Sequence, residues 1–392
     1  MSPSIPRLAI VLPYLKARGT EKQSLYLANG LTRRGWEVTV LVVQGWGELE
    51  LYKQMESVGA RVVNIGSPWR RNVKGVAWVR FPLLFWYLFR LRPDVVLSRA
   101  SLAHRITGLC SHLLRLHFVA VYSAGIPTPS RLIPNCQKRW VVNVLQRLSL
   151  TFWRLKLGWP ERLVTVSHHS LQNLMVRYPM AKSWVRSIVN GVCINKLEPF
   201  HYLPKSKDRE CVRIVYVGSL EIERKGIDLF LKACRILLEL NCFDFHVSFV
   251  GSGPDHVEIS RIIYESGLDD VVTQHGEQSC PQAILALSDV FVLPSRREGM
   301  PNSLLEAMEM GLCVVATDCP TGPSEVINHR NNGLLVQSND HVSLARSLHE
   351  VCLDKGLRLR LGKAARQFIL KNHSIDTMLD HYDFLLKEVV SS

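Results

Sequence analysis

The chain is short of several features that would place it in common functional classes. Its ten cysteines include no Cys-x-x-Cys pair, and its histidines form no cluster at zinc spacing. That argues against a structural zinc or a redox dithiol and leaves the cysteines as reduced core thiols of a cytosolic protein. No Asp-x-Asp stands where it could hold a metal, so none is expected. There is no repeat at solenoid spacing and no low-complexity tail. The opening MSPSIPRLAIVLPYLK has too short an apolar run, followed by a polar loop, to read as a signal peptide. The apolar run Phe81–Phe89 is too short to span a bilayer and contains Pro82. Acidic residues are scarce in one half only. Residues 1–200 carry 28 Lys+Arg against 8 Asp+Glu, the rest 20 against 26, giving nets of +20 and −6 within the overall +14. The basic half points to an anionic partner, and no nucleic-acid recognition motif accompanies it.

A chain of 392 residues exceeds one ordinary core, so two domains are expected. The most informative stretch is Glu298–Met310, EGMPNSLLEAMEM. It follows the strand pattern Val290–Leu293, which Pro294 ends, and the polar loop Ser295–Glu298. A helix opens near Asn302 or Ser303 with Leu304, Leu305, Ala307 and Met308 on its apolar face, and Gly311 stops it. A strand, a glycine turn and a helix start bring unpaired N–H groups and a positive dipole to one point, which suits a phosphate. Gly299 lets a ligand approach the backbone closely. Glu298 and Glu306 only accept hydrogen bonds as carboxylates, so they suit the hydroxyls of a sugar or ribose. Phosphates at the helix start and hydroxyls on the acids describe a sugar nucleotide. A second strand–loop–helix unit follows, Val314–Ala316 then Asp318–Glu325 (DCPTGPSE), which implies a parallel sheet with ligand loops at the strand C-termini.

The beginning of the chain has a similar rhythm. Leu8–Leu12 reads as a strand, Pro13–Glu21 as a loop containing RGTE, Lys22–Arg34 as a helix and Glu37–Val43 as a continuously apolar strand. This is a Rossmann-like β-loop-α-β start. Pro199–Arg209 is polar and proline-containing and reads as a linker.

The segment SRREGMPNSLLEAMEMGLCVVATDCPTGPSEVI resembles the donor-binding signature of retaining glycosyltransferases of family 4. That resemblance implies the α/β GT-B fold, two Rossmann-like doubly wound domains facing a cleft. It implies an acceptor-binding domain at 1–198, a linker at 199–209, a donor-binding domain at 210–370, and a C-terminal helix in 371–392 packing back on the first domain. Glu298 and Lys225 become the expected catalytic residues, with Glu298 on the transferred sugar and Lys225 on the diphosphate. Glu306 would take the ribose diol. Gly218, Ser219, Arg224 and Gly251, with Gly299, Met300, Pro301, Asn302 and Ser303, would complete the donor site. Gly19, Thr20 and Glu21 match the family's acceptor-side loop, with Arg18 in place of its first glycine. Ser219 stands where an arginine is common, and Arg224 is the nearby substitute. Ser123 and Ala124 stand where many members have a histidine, and His104, after the preceding strand, is the substitute there. Ile188–Val192 resembles the family's P-N-G-V-D turn.

By the same resemblance, a hexose or N-acetylhexosamine passes with retention from a UDP-sugar co-substrate, with no metal and no cofactor, to a lipid-linked or glycan acceptor. Two other readings stay open: a non-catalytic sugar-nucleotide-binding partner protein, and a GT-B UDP-N-acetylglucosamine 2-epimerase. Two basic-aromatic segments bear on location, Lys74–Arg92 and Lys138–Arg162. In the second, Trp140, Val144, Leu148, Phe152 and Leu155 follow helical spacing among Arg139, Arg147, Arg154 and Lys156. Both fit helices lying on an anionic membrane surface, while the first fits a core helix equally well. The expected location is the cytoplasm, peripheral on the inner face of the cytoplasmic membrane.

Overall fold

The computed structural model describes residues 5–15, 19–45, 49–57, 59–66, 80–99, 101–122, 160–177, 183–194, 211–278 and 280–392. Arg18, Ser123, Ala124, the linker 199–209 and nearly all of the Lys138–Arg162 segment lie outside the described residues, as do positions 74–79 of the first basic-aromatic segment. By internal packing the chain forms two compact units, Met1–Val189 with Met378–Ser392, and Asn190–Thr377.

Among the described residues the first unit is built on seven parallel strands, β1 (Arg7–Tyr14), β2 (Glu37–Gly45), β3 (Arg61–Asn64), β4 (Val95–Arg99), β5 (His117–Tyr122), β6 (Arg162–Thr165) and β7 (Val185–Ser187). Their order is β3-β2-β1-β4-β5-β6-β7. The central strands are apolar on both faces because helices cover both, as their unbroken Val/Leu/Ile runs require. Ile10 on β1 lies opposite Val40 on one side and Leu97 on the other.

Among the described residues the helices of this unit are α1 (Gly19–Arg33), α2 (Leu49–Glu56), α3 (Phe81–Leu91), α4 (Ser101–Leu114) and α5 (His168–Arg177). Helix α1 starts three residues earlier than the apolar periodicity predicts. The polar residues Thr20 and Glu21 form its first turn, where a carboxylate complements the helix dipole. Helix α3 is a core helix on one face, burying Leu84 and Leu88 completely.

Among the described residues the second unit has six parallel strands, β8 (Val212–Val217), β9 (Phe245–Val250), β10 (Val272–Gln274), β11 (Val290–Leu293), β12 (Cys313–Asp318) and β13 (Leu334–Gln337), in the order β10-β9-β8-β11-β12-β13. Its helices are α6 (Ile222–Lys225), α7 (Ile227–Leu240), α8 (His256–Glu265), α9 (Gln282–Ala286), α10 (Asn302–Glu309), α11 (Pro323–Val326), α12 (His341–Leu353) and α13 (Lys355–Asn372).

Helix α14 (Ile375–Val390) follows, and from Met378 on it belongs to the first unit. There Asp383 accepts from Trp36 Nε1 at 2.7 Å, Tyr382 OH accepts from Arg99 Nη2 at 3.1 Å, and Glu388 pairs with Arg162 at 2.5 Å. No helix among the described residues is long and apolar enough to cross a membrane.

Strand order reverses between β8 and β11, which pair directly, Val215 opposite Phe291. Loops leaving two such strands turn to opposite faces of the sheet and leave a crevice at the carboxyl ends. The segments after β8 and after β11 therefore meet at one point.

Candidate active site

After β8 the chain makes the short helix α6, which ends on Lys225, and turns at Gly226 with φ +64°. A Cβ on Gly226 would lie 2.1 Å from the carbonyl oxygen of Pro294, which ends β11. A glycine here lets the two loops touch. The contact brings Lys225 to Glu298. Lys225 Nζ donates to Glu298 Oε1 at 2.6 Å, and Ser295 Oγ donates to the same oxygen, also at 2.6 Å. The side chains of Lys225 and Glu298 are only 11% and 7% exposed. A charge pair so little solvated holds its geometry, because separating it strands a charge in a poorly polarisable site. Glu298 Oε2 accepts no hydrogen bond from the described residues and remains for an outside donor.

A second layer fixes this pair. Arg296 forks onto Asp228 through Nη1 at 2.8 Å and Nη2 at 2.7 Å, and its Nη1 also donates to the Ile222 carbonyl at 2.9 Å. The Arg296 and Arg297 backbone N–H groups donate to the Arg224 carbonyl. The loop bearing Glu298 is thus stitched to the helix bearing Lys225. Thr317 Oγ1 donates to the Ser295 carbonyl and Thr321 Oγ1 to the Glu298 carbonyl. Gly322 packs on the Gly299 peptide at φ +94°. The Arg224 guanidinium donates to Glu221 Oε2 at 2.8 Å.

Among the other residues named from the sequence, Gly218 and Gly251 abut where β8 and β9 end. A Cβ on Gly251, at φ +139°, would lie 2.0 Å from the Gly218 carbonyl. The Ser219 carbonyl accepts from Tyr216 OH at 2.8 Å. Burial pushes the Tyr216 phenol well above its ordinary value, so it stays a neutral donor. Helix α10 has Pro301 as its N-cap, a residue that makes no side-chain cap hydrogen bond, and the Leu304 N–H donates to the Pro301 carbonyl at 3.1 Å. Asn302 Oδ1 accepts from Asn190 Nδ2 at 2.8 Å. Met300 is buried beneath the turn, and Ser303 lies in the first turn of α10. Glu306, one helical turn further on, accepts from Gln282 Nε2 at 3.4 Å.

Gly19, Thr20 and Glu21 lie in the first unit, in the first turn of α1. The Thr20 carbonyl accepts from the buried Arg99 guanidinium at 3.3 Å, and Glu21 is buried. His104 lies inside the core of this unit rather than on an open surface. It is fully buried, its Nδ1 is 2.5 Å from Ser98 Oγ, and its ring packs on Tyr122 at 4.5 Å. Burial holds its pKa at about 3, so the imidazole is neutral.

Ser295, Arg296, Thr317, Thr321 and Tyr216 were not singled out from the sequence. Ser295 and Arg296 sit inside the stretch that carries the family resemblance, three and two positions before Glu298, and that proximity was the available signal.

The description "Glycosyltransferase Family 4" matches residues 17–196, and "Glycosyl transferases group 1" matches residues 211–354. The chain is 24% identical over 389 residues to the lipopolysaccharide core biosynthesis glycosyltransferase LpsE of Rhizobium meliloti (strain 1021), covering 95% of this chain and 96% of that one. It is 31% identical over 205 residues to the amylovoran biosynthesis glycosyltransferase AmsK of Erwinia amylovora, 47% of each chain. Anabaena HepE, solved in complex with UDP and glucose, shares the fold with a TM-score of 0.76 at 17% identity, covering 98% of this chain and 100% of that one. With two doubly wound parallel sheets of GT-B type and both halves matched, the chain belongs to the family 4 glycosyltransferases, its second half being a glycosyl transferases group 1 domain.

Proposed function

We propose that the protein moves a hexose or N-acetylhexosamine from a UDP-sugar, with retention and without a metal, to a lipid-linked glycan acceptor in polysaccharide or glycoconjugate synthesis. The observation that carries this reading is the buried Lys225–Glu298 pair at the strand reversal, with Glu298 on the loop that leads into α10. Lys225 has N–H donors beyond the one given to Glu298, and these suit the donor diphosphate together with the backbone at Gly299–Ser303. Glu298 Oε2 takes a hydroxyl of the transferred sugar, and Glu306 takes the ribose. Gly218, Ser219, Arg224 and Gly251 line the diphosphate side.

In the reaction the bond from the anomeric carbon to the phosphate oxygen breaks and one to the acceptor oxygen forms. The acceptor proton passes to the departing phosphate, whose negative charge Lys225 and the α10 amides stabilise. The basic first unit is the acceptor-binding half, with Gly19, Thr20 and Glu21 on that side, working on the inner face of the cytoplasmic membrane. Names of relatives support the pathway class: LpsE acts in lipopolysaccharide core biosynthesis and AmsK in amylovoran biosynthesis. HepE supports the donor class, having been solved with UDP and glucose.

The test is sugar transfer from a panel of labelled UDP- and GDP-sugars into the lipid fraction of acceptor-competent membranes, wild type against Glu298→Gln. Incorporation from one UDP-sugar, lost in the variant, is the expected result. Donor binding without turnover would favour a non-catalytic partner protein. Conversion of free UDP-N-acetylglucosamine without acceptor would favour an epimerase.

A further inference from the structure

Helix α3 has two apolar faces, and the core accounts for only one. Leu84 and Leu88 are fully buried, while Leu83, Trp86 and Phe89, at 42%, 47% and 53% exposure, fan outward at three-residue intervals. Three large apolar side chains exposed on one helical face are not scattered surface residues. The cations beside them are ordered onto them. The Arg90 guanidinium carbon lies 5.5 Å from the Trp86 ring centroid, and that of Arg92 lies 5.5 Å from the Phe89 ring. Arg80 stands at the other end as the N-cap. The segment Arg80–Arg92 contains no acidic residue, and the first 200 residues as a whole carry +20.

These features define the occupant. A helix of 11 residues is about 16 Å long and cannot cross the hydrocarbon layer, so a bilayer would take it lying flat. Trp and Phe suit the acyl boundary, and arginines at the same edge suit lipid phosphates. A second copy of the same face would oppose arginine to arginine with no acid to compensate. An acidic protein groove would leave Leu83, Trp86 and Phe89 with a polar neighbour.

We propose that the outer face of α3 is the membrane-docking element of the protein, Leu83, Trp86 and Phe89 entering the interface of an anionic bilayer while Arg90 and Arg92 bind headgroup phosphates. This deepens the reading of a lipid-linked acceptor and rests on it, because it puts the transferase where such an acceptor resides.

The test is co-sedimentation of the full chain with phosphatidylcholine vesicles containing roughly 30% of the anionic lipid phosphatidylglycerol and with pure phosphatidylcholine vesicles. Wild type is compared with Trp86→Ser/Phe89→Ser and with Arg90→Gln/Arg92→Gln. Expected are binding to the anionic vesicles, little to the neutral ones, and a loss on removing each arginine of roughly 5-fold. The serine pair should abolish measurable binding with an unchanged circular dichroism spectrum. Full binding by both folded variants, or none by wild type, would overturn the proposal. So would concentration-dependent dimerisation that Trp86→Ser/Phe89→Ser abolishes, because the face would then belong to a second copy. No donor or acceptor enters the assay, so a failure here leaves the transferase reading to be judged by turnover on detergent-dispersed acceptor.

Discussion

Lys225 and Glu298 are 73 residues apart in sequence and 2.6 Å apart at Nζ and Oε1. Neither of their loops places its side chain alone. The pairing of β8 with β11 sets the distance, and the Gly226–Pro294 contact sets the angle. The two partners should fail differently on substitution. Glu298→Gln keeps the shape and a hydrogen-bond acceptor but loses the charge, and turnover should fall about 100-fold, the scale for removing one group that is oriented toward the transition state. Lys225→Met leaves a carboxylate buried without its cation and should also cost about 3 kcal/mol of stability. Thermal melts beside steady-state rates separate the two outcomes.

Ser295 is fully buried and shares the Glu298 oxygen with Lys225. Ser295→Ala should lower kcat about 10-fold, the worth of one charge-assisted hydrogen bond. The melting temperature should move little, because Lys225 still satisfies the carboxylate. A fall in stability without a fall in kcat would make Ser295 a packing residue instead.

The limit of sequence reading is visible in this same site. EGMPNSLLEAMEM announced itself because strand, glycine turn and helix are contiguous, and each has its own periodicity or stop signal. The two doubly wound sheets were legible for the same reason: continuously apolar strands alternate with helices of 3.6-residue rhythm. The Arg296–Asp228 fork was not legible, since its partners are 68 residues apart and meet only through the strand order. The burial of His104 was not legible, because its position on α4 does not reveal which face of that helix is covered. The polar first turn of α1 was assigned to a loop because apolar periodicity sees only the buried face of a helix.

Arg296 offers a direct measure of that fork. Arg296→Lys keeps the charge but cannot make two parallel bonds to Asp228 or reach the Ile222 carbonyl at once. Lys225 should then be less well aimed, with kcat down roughly 10-fold and the pair coupled to Asp228→Asn by about 1–2 kcal/mol in a double-mutant cycle. Additive effects of the two substitutions on kcat/KM would show that the fork does not act as a unit.

Gly226→Ala tests the close approach of the loops. The new Cβ meets the Pro294 carbonyl, and φ +64° disfavours any side chain. Relaxation has to move α6 away from β11. The expected result is a stability loss of about 1–3 kcal/mol with weakened UDP binding by calorimetry. Gly267→Ala, also at positive φ but with open space around its Cβ, is the control, and it should lose stability without losing UDP affinity.

His104 gives the protein a pH dependence whose sign is fixed by its burial. Its pKa is lowered from 6.5 to about 3, chiefly by desolvation. Between those two values the unfolded chain binds a proton that the folded chain excludes. Stability is therefore fully present above about pH 6.5 and is lost as pH falls toward 3, by up to ~1.4 kcal/mol per pH unit. His104→Gln retains an acceptor for Ser98 Oγ and has nothing to titrate. Between pH 7 and pH 5 the wild type should lose roughly 2 kcal/mol more than the Gln variant in urea unfolding of the first unit's transition. Equal losses would mean that the imidazole is reached by water in the folded state and is protonated there, which its packing between Ser98 and Tyr122 does not allow.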